Sequence, residues 1–244
     1  MRPPGRVVVV MPAYKAARTL ERTVSAIPRE WVDEILLVDD NSPDGTLQVA
    51  RGLDIKVLAL PHNVGYGGNQ KTCYLQALQE RADAVVMLHP DGQYEPEIIP
   101  RIVEPILRGE ADFVMGSRMA AAREGGMPLW KRVGNRALTA MENRIVGTDL
   151  SELHSGYRAY SRALLEGVPF LRNSDDFVFD SEMLLQANHF GYRIVEVPAR
   201  SRYFADASSV DLRQSVVYGV KTLWAALRLV LHRSGIVRSK KFQP

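Results

Sequence analysis

The sequence predicts an α/β protein with a mostly parallel central sheet flanked by helices. Three observations predict it. Short apolar, β-branched runs recur (Arg6 to Met11, RVVVVM; Glu34 to Val38, EILLV; Ala84 to Leu88, AVVML), the pattern of strands covered on both faces. Stretches with apolar residues at helical spacing fall between them, with short connections. Polar clusters gather just after the strand runs, where open parallel sheets take their ligands.

Taken in order, Pro12-Ala13-Tyr14 breaks the first run, and Leu20, Val24 and Ile27 mark a helix that Pro28 closes. The second strand ends in Asp39-Asp40, with Ser42 or Asp44 placed to cap the helix that follows. Ile55 to Leu60 is a third strand, and a glycine-rich turn at 65–68 opens the helix carrying Tyr74, Leu75 and Leu78. The turn is expected to be structural, letting backbone approach a neighbouring loop. Ala84 to Leu88 is the fourth strand. Ile98 to Leu107 is helical after Pro96, and Asp112 to Met115 starts a strand that ends at Gly116-Ser117-Arg118. The stretch 120–127 reads as a surface loop, Leu129 to Val146 as a basic helix, and Asp149 to Arg162 as a polar segment. Phe177 to Tyr192 reads as a helix capped by Asp180 or Ser181 and stopped by Gly191, before a short strand from Arg193 to Val197.

The 244 residues, 46% hydrophobic and 24% charged, suit one large soluble domain. A net charge of +3 fits an anionic substrate or a membrane surface; nucleic acid is not expected as a partner. One cysteine, Cys73, permits no internal disulfide, which fits a reducing compartment and a cytoplasmic location. Residues 1–210 are expected to form the main domain, and 211–244 an amphipathic helix with a basic tail. In that helix Val216, Val217, Val220, Leu223, Trp224, Leu227 and Leu231 form one apolar stripe bordered by Lys221 and Arg228. The run is too short and too interrupted to span a bilayer, but it suits a peripheral position in the membrane interface. A helix packed on the sheet is the competing reading.

Several chemistries are disfavoured. The first turn lacks the Gly-x-Gly-x-x-Gly of dinucleotide-binding folds, the 65–71 turn lacks P-loop spacing, and no Gly-x-Ser-x-Gly elbow is present. What remains is an acidic turn after the second strand (VDDNSPDGT), a turn after the fourth (MLHPDGQY) and an arginine after a later one. His89, Asp91 and Gln93 offer an imidazole, a carboxylate and an amide oxygen at alternating positions, a candidate ligand set for one divalent cation.

The strings VVVVMPAY, LLVDDNSPDGT, HNVGYGGNQ, MLHPDGQYEP, VMGSR, SGYRAYSR and GYRIVEVP resemble family 2 glycosyltransferases of the GT-A fold, above all the dolichyl- and polyprenyl-phosphate sugar transferases. The resemblance covers roughly residues 6 to 205. It implies an inverting transfer of a hexose from a nucleotide diphosphate sugar, of the GDP-mannose or UDP-glucose type, to a polyprenyl phosphate at a membrane surface. It implies that Pro12, Tyr14, Asp39 and Asp40 hold base and ribose, that Arg202 neutralises the donor diphosphate, and that Asp91 with Gln93 holds Mg²⁺ or Mn²⁺. Arg118, with Arg132, Asn135 and Arg158, is implied for the acceptor phosphate, and Asp180 and Glu182 match the family's late acidic motif. The chain departs from the pattern at His89, where the family's Asp-x-Asp has an acid; a shift from Mg²⁺ towards Mn²⁺ is expected if His89 binds. The Pro-x-Tyr-Asn-Glu string often seen after the first strand is here Pro12-Ala13-Tyr14-Lys15-Ala16.

A lipid phosphate is already anionic and needs no strong base, so catalysis would rest on positioning and charge. A sugar hydroxyl as acceptor would need a carboxylate base, for which Asp180 and Glu182 are the candidates. A non-catalytic nucleotide-sugar-binding protein is the third reading.

Overall fold

The apolar runs form strands because every residue of the first of them, β1 (Val7–Ala13), is buried. Its odd and even positions feed two different cores: Val7, Val9 and Met11 one face, Val8 and Val10 the other. This is the two-sided burial that the β-branched, uninterrupted run requires. Each such valine contributes about 1.5–3 kcal/mol by leaving water. The computed structural model describes residues 2–119, 129–200 and 212–244.

Around β1 lie β2 (Glu34–Asp39) and β4 (Ala84–Met87), both parallel to it, and β3 (Lys56–Ala59) extends the sheet beyond β2. The other half holds β5 (Phe113–Ser117), β6 (Arg158–Ser161) and β7 (Ile194–Pro198). The seven strands run in the order β3-β2-β1-β4-β6-β5-β7. Strand β6 is antiparallel to both β4 and β5, whereas β7 is parallel to β5. The mostly parallel sheet is therefore as expected, but β6 falls in the segment read only as polar. Its signature is hidden because Arg158, a fully buried arginine, opens the run.

Helices α1 (Leu20–Ser25), α2 (Thr46–Arg51) and α4 (Ile99–Leu107) cover one face, with Leu20, Val24, Ala50, Ile99, Ile102 and Val103 in its core. Helices α3 (Tyr66–Gln79), α6 (Arg162–Gly167) and α7 (Phe179–His189) cover the other. Asp44, not Ser42, serves the start of α2: its Oδ1 accepts from the Thr46 amide at 3.1 Å and the Thr46 hydroxyl at 2.5 Å. Asp180 and Ser181 do not cap α7, which begins after Val178; both lie inside its first turn and are buried. Gly191, at φ +78°, follows that helix, as a stop residue should.

A third layer lies outside the sheet. Helix α8 (Leu212–Arg233) packs on α7 and on α5 (Leu129–Val146). Its inward face is Thr222, Ala225, Ala226 and Leu229. The segment after it returns to α7, burying Phe242 and accepting from Gln186 at the Lys241 carbonyl, 2.8 Å. The competing reading, a helix packed directly on the sheet, is replaced by a helix packed on helices. Among the described residues no helix is long and apolar enough to cross a membrane.

Candidate active site

All the parallel strands end at one edge, and the turns that leave them are stitched together there. The Lys15 amide donates to the Ser42 hydroxyl at 3.0 Å and the Ala16 amide to the Thr46 hydroxyl at 2.8 Å, joining the turns after β1 and β2. Lys15 and Asn41 hold left-handed backbone conformations, φ 57° and 55°, uncommon for residues with side chains and frequent at functional turns. Pro12 is buried within β1 opposite Val38. Tyr14 is half exposed, with the Lys15 ammonium 5.2 Å from its ring centre.

The adjacent aspartates are placed differently. Asp40 points into the protein: its carboxylate accepts the Val64 amide at 2.7 Å and the Gly65 amide at 3.2 Å, so it shapes the glycine-rich turn. Burial nonetheless raises its pKa, and the nearby charge of Asp39 adds to that. Asp39 is 2% exposed; its Oδ2 accepts the Ser42 amide at 3.1 Å, but its Oδ1 is buried and has no partner among the described residues. A buried carboxylate oxygen without a donor is costly, and a nucleotide's N–H or hydroxyl would satisfy it.

The glycine-rich turn is structural, as expected. A Cβ on Gly67 would come 2.3 Å from the Ser174 carbonyl, and one on Gly65, at φ +84°, 2.7 Å from that of Asp175. Lys71 secures the same contact by donating to the Asn173 carbonyl at 2.5 Å and to Asp175 at 2.6 Å.

After β4 the chain turns at Gly92, φ +72°. Asp91 Oδ1 accepts the Gln93 amide at 2.9 Å, which fixes its carboxylate in an Asx turn. His89 Nε2 lies 3.0 Å from the Tyr66 hydroxyl, which donates to Asp180 Oδ2 at 2.7 Å. The imidazole stacks on the Tyr66 ring, 5.4 Å between centres, above Gly156, where a Cβ would sit 3.2 Å from the imidazole. Nitrogen and oxygen donors from His89, Asp91 and Gln93 suit Mn²⁺ or Mg²⁺ with diphosphate oxygens and water completing the shell. Among the described residues no group of three His, Cys, Asp or Glu side chains is assembled.

At the end of β5, Arg118 is locked onto Glu152. Its amide donates to Oε2 at 2.6 Å and its Nε to Oε1 at 2.8 Å, while Nη2 reaches the His154 carbonyl at 2.9 Å. Asn135 of α5 donates to the same Oε1 at 2.9 Å. Burial would raise the Glu152 pKa, but Arg118 and these donors outweigh it and hold it below the ordinary value. The structure thus brings together Arg118 and Asn135; Arg132 lies on the same helix one turn earlier, half-buried.

Three candidates are placed elsewhere. Arg158 is fully enclosed and is corrected to a brace: it donates to the carbonyls of Ser155 at 2.7 Å, Leu153 at 3.0 Å and Asp180. Burial opposes its charge, but the neighbouring Asp180 outweighs that and holds its pKa above the ordinary value. Glu182 accepts the Ser174 amide at 2.6 Å and pairs with Lys241, so its carboxylate holds the returning C-terminal segment. Asp180 accepts from Tyr66 and, at 3.2 Å, from Gln70, with Tyr66 between it and His89. Arg202 lies outside the described residues. Glu152 and Tyr66 were not foreseen; Tyr66 lay inside the string HNVGYGGNQ, and Glu152 only in the polar segment Asp149 to Arg162, outside the motif strings.

The model of glycosyl transferase family 2 matches residues 8–168. A UDP-N-acetylglucosamine–dolichyl-phosphate N-acetylglucosaminyltransferase of Methanococcus voltae is 28% identical over 241 residues, covering 91% of this chain and 95% of the relative. An undecaprenyl-phosphate mannosyltransferase of Micrococcus luteus is 30% identical over 202 residues, 79% of this chain and 82% of the relative. Among solved structures, glucosyl-3-phosphoglycerate synthase from Mycobacterium tuberculosis, in complex with Mn²⁺, UDP and glucosyl-3-phosphoglycerate, superposes with a TM-score of 0.71 at 21% identity. That match spans 93% of this chain and 80% of the other, and it places this sheet and its flanking helices in the GT-A fold.

Proposed function

The chain belongs to glycosyl transferase family 2 and is a glycosyltransferase, and from that we propose that it moves a hexose from a nucleotide diphosphate sugar to a polyprenyl phosphate, with inversion. Donors of the GDP-mannose or UDP-glucose type fit this reading, as do peripheral contact with the cytoplasmic face of a membrane and one divalent cation. Relatives named for dolichyl, undecaprenyl and polyprenol phosphates support the acceptor class.

The observation that carries the lipid acceptor is an apolar surface. On α8 the large residues Val216, Val217, Val220, Trp224 and Leu227 face outward, Val220 at 63% exposure, while the small ones pack inward. On α5 Leu129, Trp130 and Val133 are also exposed, beside Arg132 and Asn135. Helices α5 and α8 pack together. Outward tryptophan and valine beside basic groups is the composition of an interfacial membrane surface. A lipid phosphate held near Arg118 and α5 would lay its chain along that surface.

In this reading Asp39 receives a donor group of the nucleoside and Asp40 holds the turn beside it. Asp91 and Gln93, with His89, hold the cation, which when bound stabilises charge on the departing diphosphate. Glu152 fixes Arg118 and Asn135 towards the acceptor phosphate, whose own charge makes it the nucleophile. The chain's contribution is position and field rather than proton transfer. A hydroxyl acceptor loses support because both of its candidate bases, Asp180 and Glu182, are already engaged with neighbouring side chains.

The test is donor turnover with a short-chain polyprenyl phosphate, scanning GDP- and UDP-hexoses with Mg²⁺, Mn²⁺ or chelator. Acceptor-dependent release of one nucleoside diphosphate, abolished by chelator and lowered more than about a hundredfold by Asp91→Ala, is expected. Turnover with sugar acceptors but none with any lipid phosphate overturns the reading.

A further inference from the structure

Behind the turn after β4 runs a chain of hydrogen bonds whose direction is forced from one end to the other. The Tyr74 hydroxyl donates to Gln70 Oε1 at 2.6 Å, which leaves the Gln70 amide nitrogen to donate to Asp180 Oδ1 at 3.2 Å. Both Asp180 oxygens are thus acceptors, Oδ1 of the Gln70 amide and Oδ2 of the Tyr66 hydroxyl at 2.7 Å. A carboxylate only accepts, so the single proton of the Tyr66 hydroxyl goes to Asp180 Oδ2. The Tyr66 oxygen then accepts, and among the described residues the group placed to donate to it is His89 Nε2–H, 3.0 Å away.

We propose that Tyr66 and Asp180 are positioning residues that hold His89 as its Nε2–H tautomer and so assign the ring's lone pair, on Nδ1, to the divalent cation. The inference rests on the cation reading above and deepens it. Carboxylate partners behind a ligating histidine fix the tautomer and raise its basicity; here a tyrosine relays that effect. His89 then replaces an acidic ligand with a neutral nitrogen donor, which favours Mn²⁺ over Mg²⁺.

The experiment reads tautomers directly, by ¹⁵N NMR of the five labelled histidines, with His89 assigned by its loss in His89→Gln. The wild-type protein is expected to show a protonated Nε2 and a bare Nδ1 at His89. In Asp180→Asn the side-chain oxygen stays with Gln70 and the new amide donates to the Tyr66 oxygen. The tyrosine proton then turns to His89 Nε2, and the tautomer flips to Nδ1–H. Mn²⁺ affinity, measured by EPR alone and with UDP or GDP, is expected to fall about 10–100-fold in that variant and in His89→Gln. Tyr66→Phe keeps the ring stacked on His89 and tilted against Phe177 and should leave a mixture of tautomers, an independent check if Asp180→Asn does not fold. A wild-type Nδ1–H tautomer, or a flipped tautomer with unchanged Mn²⁺ affinity, overturns the proposal. If Asp91→Ala weakens Mn²⁺ and His89→Gln does not, this inference fails alone. If neither does, the cation reading fails with it.

Discussion

Asp39 and Asp40 are neighbours in sequence and opposites in role, and substitution should separate them. Asp40→Ala strands the Val64 amide and leaves the Gly65 amide to Asn63 alone, and should cost about 1–3 kcal/mol, read as a lowered melting temperature. Asp39→Ala removes one oxygen with no partner among the described residues and one that accepts the Ser42 amide, so it should cost stability less, about 0.5–1.5 kcal/mol, and weaken donor binding, read by calorimetric titration. Glu152 gives a pH test. Its pKa is lower in the folded state than its ordinary value of 4.5. Its stabilisation is therefore complete above that value and drains away as the pH falls through the folded one. Acid unfolding followed by circular dichroism should show this loss, and Glu152→Gln should remove that part of the acid dependence. The pair Asp39-Asp40 was legible in the sequence because both follow an apolar run. Which of them holds the glycine-rich turn was not, because it depends on amides more than twenty residues away at Val64 and Gly65.

At the scale of elements, the parallel strands were readable because two-sided burial writes itself as an unbroken run of valine and leucine. Strand β6 was not, since burying Arg158 needs three backbone carbonyls that local sequence does not reveal. Arg158→Met should cost roughly 3 kcal/mol, as expected when three backbone carbonyls in the interior lose their donor. The stripe on α8 was visible as a stripe, but its direction was not; the helix is turned so that alanines and Thr222 meet the protein and bulky residues meet the outside. Val220→Glu and Trp224→Glu should therefore change stability by no more than about 0.5 kcal/mol. Both should abolish sedimentation with anionic vesicles. Unchanged vesicle binding in the double variant would remove the membrane surface from the proposal. For the glycine-rich turn, Gly67→Ala must push the Ser174 loop away, at a cost of about 1–3 kcal/mol.

Across the whole molecule, the antiparallel β6 sets a distance. Strands β4 and β5 point the same way but are not neighbours, because β6 lies between them. The turn bearing Asp91 and the turn bearing Arg118 therefore leave the same edge of the sheet two strand spacings apart, about 9–10 Å. The segment entering β6 at that edge, Ser155 to Tyr157, crosses the interval as a floor. It has a glycine where the floor meets the His89 ring and is pinned by the Gly156 amide donating to the Tyr94 hydroxyl at 3.0 Å. A reversed strand thus acts as a spacer bar. The turns bearing Asp91 and Arg118 are thereby held apart, and the gap is measured by backbone geometry rather than by any side chain that evolution could easily lengthen or trim.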